Sequence, residues 1–92
     1  MTTHQLRTFP TAWDAVQRGD KTFELRLNDR CFQKGDFVEL IRLAADDAGA
    51  EESVDAEGDP RTLVKRIGWI LHAGFIFPGL EADYCILSLL DK

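Results

Sequence analysis

Residues 19–30, which read Gly-Asp-Lys-Thr-Phe-Glu-Leu-Arg-Leu-Asn-Asp-Arg, contain the clearest structural pattern in the chain. The Gly-Asp pair favours a turn, and polar and apolar residues alternate strictly after it. Since successive side chains of a strand point to opposite faces, the pattern predicts a β-strand with two unlike faces. The apolar face is predicted to pack in the core and consists of Phe23, Leu25 and Leu27. The opposite, polar face consists of Thr22, Glu24, Arg26 and Asn28, flanked by Lys21 and Arg30.

The polar face has two interpretations that spacing alone leaves open. It could be an ordinary solvated strand face, on which Glu24 and Arg26 neutralise each other for less than about 1 kcal/mol. It could instead line a ligand site, because it aligns a hydroxyl, a carboxylate, a guanidinium and an amide that can all contact one polar molecule.

The segments around this strand predict a small α+β barrel in one domain, residues 1–92. Pro10 suits the start of a helix, Thr11 is a candidate cap, and Gly19 suits the helix end. Apolar, strand-like segments occur at 4–9, 37–43, 61–72 and 84–90, and Gly68 inside one of them predicts a bulge or a barrel corner. The residues predicted to be largely buried are Phe23, Leu25, Val38, Leu40, Trp69, Leu71, Ile86 and Leu87.

The net charge of −5 is unevenly distributed along the chain. Residues 44–59 contain seven acidic residues and no lysine or arginine. The other 76 residues carry 11 basic and nine acidic side chains, a net charge of +2. An acidic protein is usually a poor candidate for nucleic-acid binding, but here that argument applies to one segment only. Because it has almost nothing to bury, segment 44–60 is predicted to be a mobile acidic loop inserted between strands.

Several classes of protein are not indicated by the sequence. No run approaches the roughly 18–20 apolar residues of a membrane span, and no apolar signal segment is recognisable. A cytoplasmic protein without a membrane partner is therefore predicted. Cys31 and Cys85 lack the spacing of a metal site and are predicted to be reduced. No metal and no cofactor is predicted.

The motif Gly19-x-Lys21-x-x-Glu24-x-Arg26, followed by Lys34-Gly35-Asp36 and an apolar strand, resembles the ASCH domains of the PUA-like superfamily. Residues 21–30 and 70–74 are most similar to a small bacterial and phage branch of that family. The resemblance covers about residues 4–90 and is interrupted by one insertion. It implies a pseudo-barrel of about five or six mainly antiparallel strands, with one N-terminal helix packed at an end.

The resemblance also implies a polar cleft between the barrel and the helix. In ASCH domains the matching motif lines this cleft, which would place Lys21, Glu24 and Arg26 in it. Asn28 and Arg30 would then lie at its mouth. Such a set suits RNA or a nucleotide, because Lys and Arg neutralise phosphate and Glu accepts from an exocyclic amine.

Two phenylalanines in the segment after His72, Phe75 and Phe77, could stack on an unpaired base. The alternative is that they fold back onto the core. His72 is a further candidate ligand-binding residue, although a histidine that ends a strand often only caps a carbonyl.

An enzymatic function is the alternative to a binding module. Some ASCH proteins are amidohydrolases that deacetylate a modified cytidine, and some relatives are reported as nucleases. The amidohydrolase branch has its expected nucleophile, a threonine, where this chain has Glu24; Thr22 lies about 6–7 Å away along the strand. Lys21 and Glu24, with His72, form another possible acid–base set for a small hydrolase acting on a modified nucleoside or RNA. A protein-interaction domain that uses its acidic loop remains a third possibility.

Overall fold

The chain forms one helix and five strands in a computed structural model that describes residues 1–73 and 79–92. These elements are β1 (Thr3–Thr8), α1 (Pro10–Arg18), β2 (Phe23–Leu27), β3 (Phe37–Arg42), β4 (Thr62–His72) and β5 (Tyr84–Asp91). The sheet order is β1-β3-β4-β5-β2; β1 and β3 are parallel, and the other neighbouring pairs are antiparallel. Because a side chain of β2 hydrogen-bonds to the backbone of β1, the sheet edges approach each other and the sheet curls into a half-barrel. The predicted small α+β barrel-like architecture is confirmed.

The helix α1 begins and ends where the sequence predicts. Pro10 occupies the first turn, where a missing N–H costs no helical hydrogen bond. Gly19 ends the helix in the left-handed conformation, with φ 86°, which a glycine adopts without steric cost. Trp13 and Val16 are buried against the sheet, and the indole N–H of Trp13 donates to the carbonyl of Leu40 at 2.8 Å. This hydrogen bond fixes the helix over β3.

The sequence predicts the core only in part. The predicted core residues that are fully buried are Val38, Leu40 and Leu87, whereas Leu71 and Ile86 are half-buried. The predicted core residues that prove exposed are Phe23, Leu25 and Trp69, at 47%, 52% and 58%. Leu27, which belongs to the predicted core face of β2, is 47% exposed.

In β2 the predicted alternation is present, but the buried face is the polar one and the exposed face is the apolar one, the reverse of the prediction. Glu24 faces the interior and is only 3% exposed, whereas Leu25 faces outward. Glu24 tolerates the inner position because Lys21 and Arg26 donate hydrogen bonds to its carboxylate there. A one-residue change of phase moves every side chain of a strand to the other face, so the three apolar predictions fail together.

Gly68 forms the predicted bulge in β4, where the pairing register with β5 shifts between Ile67 and Trp69. One extra residue exchanges the two faces of a strand, so Ile67 is buried and Trp69 points outward. A Cβ atom on Gly68 would lie 2.8 Å from the side chain of Leu90. The bulge and the close approach of Leu90 both account for glycine at this position.

A buried polar cluster joins β1 to the turn before β3. The Nε2 atom of His4 donates to the Asp36 carboxylate at 2.8 Å, and the backbone N–H groups of Thr2 and Gln33 donate to it at 3.2 Å. The hydrogen bond from His4, helped by these two backbone groups, lowers the pKa of the Asp36 carboxyl below its usual value despite burial. Asp36 therefore contributes to stability as a carboxylate.

The acidic segment 44–60 has more local structure than an unattached loop. It forms isolated bridges between Leu43 and Glu52 and between Val54 and Pro60. The Thr11 hydroxyl donates to Asp46 at 3.0 Å, so the prediction that Thr11 caps the helix is wrong. The mobility of the segment remains a prediction. No helix in the described part of the chain is long and apolar enough to cross a membrane.

Candidate functional site

A cavity of about 460 Å³ opens at the seam where the edge strands β1 and β2 face each other beside α1. We call it the seam cavity. Its polar lining consists of Arg7, Thr8, Lys21, Glu24 and Arg26. Its apolar lining consists of Phe9, Ala12, Leu25, Leu43 and Ala48. The volume lies within the roughly 300–1,000 Å³ that is typical of small-molecule sites.

Glu24 is the buried centre of the polar wall. One carboxylate oxygen accepts a hydrogen bond from Lys21 Nζ at 2.6 Å, and the other accepts one from Arg26 Nε at 3.0 Å. The Glu24 side chain is 4% exposed, whereas those of Lys21 and Arg26 are each 22% exposed. Two cations around one carboxylate leave a net positive charge, and the cations are the part that solvent or a ligand can reach.

Arg26 also connects the two edges of the half-barrel. Its Nη2 atom donates to the carbonyl of Arg7 and to the hydroxyl of Thr8, both at 3.0 Å. The Thr8 hydroxyl in turn donates to the carbonyl of Leu6 at 3.1 Å. The guanidinium plane is therefore fixed by hydrogen bonds from two strands, while its Nη1 makes no hydrogen bond to the described residues. A guanidinium held in this way is preorganised for a ligand.

Lys21 is positioned by the end of α1. Its backbone N–H donates to the carbonyl of Ala15 at 3.1 Å, just after the helix-ending glycine. Its ammonium donates to the carbonyl of Phe23 at 2.6 Å and lies 4.8 Å from the centre of the Phe23 ring. The helix end and the start of β2 thus fix the direction in which this flexible side chain points.

The structure brings Lys21, Glu24 and Arg26 together, as the sequence predicts. Arg30 lies elsewhere along the same seam: its Nη1 donates to the carbonyl of Gln5 at 3.2 Å, and it pairs with Asp29 at 3.1 Å. It is not part of the lining of the seam cavity.

Asn28 and His72 lie apart from the seam cavity and line a second cavity of about 360 Å³, with Cys31 and Trp69 among its other walls. His72 therefore does not join Glu24 in one acid–base set. Asn28 is likewise absent from the lining of the seam cavity, so it does not lie at the mouth of the cleft that contains Glu24, as was predicted. Phe75 and Phe77 lie outside the described residues.

Two contributions to the seam cavity are missed by the sequence reasoning. Thr8 could have been found, because it follows Leu6 on the buried face of β1 and is a polar residue at an inward position. Ala48 had no such signal, since only the fold of the acidic segment brings it to the cavity. In the described ranges, no group of three or more His, Cys, Asp or Glu residues is placed to hold a metal ion.

Comparison with known families gives one match. Residues 3–89 match the model of a family that is described as a domain of unknown function, DUF3850. Comparison with curated proteins finds no match.

Proposed function

Because the match spans most of its length, the chain belongs to the DUF3850 family, and we propose that this domain binds RNA or a nucleotide in the seam cavity. The observation that carries the proposal is the pair of cations, Lys21 and Arg26, held on the cavity wall by the buried Glu24. The positions of both cations are set before any ligand arrives, which lowers the entropic cost of binding.

The chemistry of the wall favours an anionic or carbonyl-bearing ligand. The ammonium of Lys21 is a compact charge that suits a phosphate oxygen, and the planar Arg26 suits phosphate or the edge of a base. The rest of the lining is apolar, with Phe9 and Leu43 among its residues, and can take the flat part of a nucleoside. A cavity lined by both cationic and apolar side chains fits a nucleotide better than it fits an inorganic anion.

The same features support the proposal that the domain is an ASCH domain of the PUA-like superfamily. A half-barrel with one early helix has the general form that this resemblance implies. The motif residues Lys21, Glu24 and Arg26 meet beside the helix, where the cleft of that family is expected.

The decisive experiment is a binding screen with nucleosides, nucleotides and short RNAs, read out by thermal shift and then by calorimetry. Arg26→Lys keeps the charge but loses the fork geometry, and we expect it to weaken binding about tenfold, or roughly 1.4 kcal/mol. Arg66→Lys is the matched control, since Arg66 is exposed on β4 and outside the cavity. Equal affinity of wild type, Arg26→Lys and Lys21→Met for every bound ligand would contradict the proposal.

The acidic segment provides a second test of an anionic ligand. Ala48 lines the seam cavity, so its neighbours Asp46 and Asp47 place negative charge near the opening. Changing both to Asn should tighten the binding of a phosphate-bearing ligand at low salt, and added salt should remove the difference. An uncharged nucleoside should bind both proteins equally. Weaker phosphate binding by the double variant would count against the electrostatic argument.

A hydrolase acting through Lys21 and Glu24 is the second candidate, and the 2.6 Å contact between the two groups on the cavity wall favours it. Glu24→Gln separates the two functions. An enzyme that uses this carboxylate in proton transfer should lose about 10²–10⁴-fold in rate with binding retained. A binding module should change its affinity by no more than about tenfold. The Thr8 hydroxyl is committed to the Leu6 carbonyl, which makes it a poor nucleophile in this arrangement.

A further inference from the structure

An extended apolar surface covers the outside of the half-barrel, opposite the seam-facing side of β2. It is formed by the outward side chains of β2, β5 and the part of β4 after the bulge, and we call it the outer sheet face. The strand pairing shows that this surface is continuous. Leu25 on β2 lies beside Ile86 on β5, and Ile86 lies beside Leu71 on β4. Three neighbouring strands therefore present one uninterrupted apolar row across the sheet.

The exposure of this face is large for so small a domain. Its most exposed members are Phe23, Leu25, Leu27, Trp69 and Leu90, each between 45% and 58% exposed. With whole large side chains presenting about 150–250 Å², these five alone expose roughly 500 Å². That value is near the upper end of the roughly 300–600 Å² found for the largest patch on an ordinary monomer.

The outer sheet face contains no charged side chain. The paired outward residues across the three strands are all aromatic, aliphatic or serine: Phe23, Ser88 and Trp69; Leu25, Ile86 and Leu71; Leu27 and Tyr84. Charged groups, such as Arg66, lie only at its border. The acidic residues that give the chain its net charge of −5 are concentrated in another segment.

We propose that a second copy of this chain docks on the outer sheet face, so that the domain forms a symmetric dimer with two sheets packed face to face. In a twofold contact the same patch meets itself, and a patch without charge does so with no like-charge repulsion. The five exposed residues of both copies together supply roughly 1,000 Å², the minimum for a specific interface, and their half-buried neighbours add to it. A single-stranded nucleic acid is disfavoured on this face, since its nearest described cations, Lys21 beside the Phe23 ring and Arg66, lie only at its border.

The position of β2 adds an independent argument. It is an edge strand, bonded to β5 on one side only within the sheet, and it presents its three apolar residues to solvent. An exposed apolar edge strand is a site of uncontrolled association unless it is covered. A face-to-face dimer buries these three apolar side chains and leaves Glu24 and Arg26, on the inner side of the same strand, in the seam cavity. Leu25, which also contributes to the cavity lining, lies where the contact and the cavity meet.

The test measures oligomeric state without any ligand, so it is independent of the function proposed for the seam cavity. Sedimentation velocity and light scattering should show the wild type passing from monomer to dimer as concentration rises, with a dissociation constant on the order of micromolar or lower. Leu27→Lys and Leu90→Lys each place a charge inside the contact twice, and each should shift the midpoint to at least about tenfold higher concentration. Val54→Lys is the matched control, because Val54 is 56% exposed but lies outside the face.

Stability measurements keep the proposal falsifiable if a variant folds poorly. The melting temperature of a dimer depends on protein concentration, so that of the wild type should rise with concentration, whereas that of Leu27→Lys should not. A wild type that is monomeric at every concentration overturns the proposal. An unchanged dimer dissociation constant in both Leu27→Lys and Leu90→Lys also overturns it. A monomeric wild type whose oligonucleotide binding is lost in Leu27→Lys would assign the face to nucleic acid instead.

Discussion

Replacing Glu24 with Gln tests whether the buried carboxylate organises the candidate site. The substitution keeps size and shape but removes the charge, and Gln offers only one oxygen where two cations need an acceptor. Its amide donor must then face either Lys21 or Arg26, which are donors too. A hydrogen bond to a charged partner contributes about 1.5–3 kcal/mol, and the 22% exposure of both cations lets water recover part of the loss. We expect a loss of about 2 kcal/mol, which corresponds to a fall in melting temperature of roughly 8–16 °C.

Urea unfolding followed by circular dichroism measures this loss, at a fixed low protein concentration. Glu39→Gln is the matched control, since Glu39 also lies on a strand and accepts a hydrogen bond, but its partner is the neutral Gln5 at 2.9 Å in an exposed position. It should change the free energy of unfolding by less than about 0.5 kcal/mol.

A double-mutant cycle isolates the pair itself. Glu24→Gln combined with Lys21→Met should show a coupling energy of about 1 kcal/mol, because the second change removes one of the unmatched donors. If Glu24→Gln unfolds at the wild-type urea midpoint, the carboxylate does not hold the two cations in place, and the burial of the Glu24 side chain is wrong.

Three further predictions concern the fold. Leu87→Ala should cost about 2–5 kcal/mol of unfolding free energy, because Leu87 is fully buried. Leu25→Ala should cost less than about 1 kcal/mol in the monomer, because Leu25 is exposed; equal losses in urea titrations would contradict the assignment of Leu25 to the outer face of β2. The pKa of Asp36 is lower in the folded protein than its value of about 3.9 in the unfolded chain, so the ionised carboxylate stabilises the fold above that pH. The folded protein should therefore lose stability as the pH falls below about 4 and Asp36 becomes protonated. Asp36→Asn should be less stable at neutral pH and should show a shallower acid dependence in the same titration. A thiol reagent should label Cys31 in the folded protein and Cys85 only after unfolding, since Cys31 is exposed and burial raises the pKa of the Cys85 thiol; rapid labelling of both would indicate local opening of β5.

The sequence is sufficient for those features that depend on local chemistry. The proline and glycine that bound α1, the turns before β2 and β3, and the bulge at Gly68 follow from backbone preferences of single residues, and the structure has all of them at the predicted places. The shared face of Glu24 and Arg26 follows from the two-residue period of a strand, whereas the inclusion of Lys21 in the same site came from the family resemblance.

Which face of β2 is buried depends on tertiary structure, because alternation says only that the two faces differ. Hydrophobicity alone favours burial of Phe23 and Leu25. The structure instead turns Glu24 inward, where Lys21 and Arg26 satisfy its carboxylate and Arg26 reaches across to β1. These partners come from the curling of the sheet, which brings together residues about 20 positions apart.

The contents of the site follow the same division. The side chains near Glu24 in the chain could be predicted, whereas Thr8 and Ala48 come to the cavity only through the pairing of strands and the path of the acidic segment. Asn28 was predicted from the alternation along β2 and from the family resemblance, and His72 from its residue type, but the fold places both around another cavity. Sequence therefore determined which segments form helix, strand and turn, because backbone preferences act within a few residues. Tertiary structure decided which face is inside and which polar groups meet, because those depend on partners from distant parts of the chain.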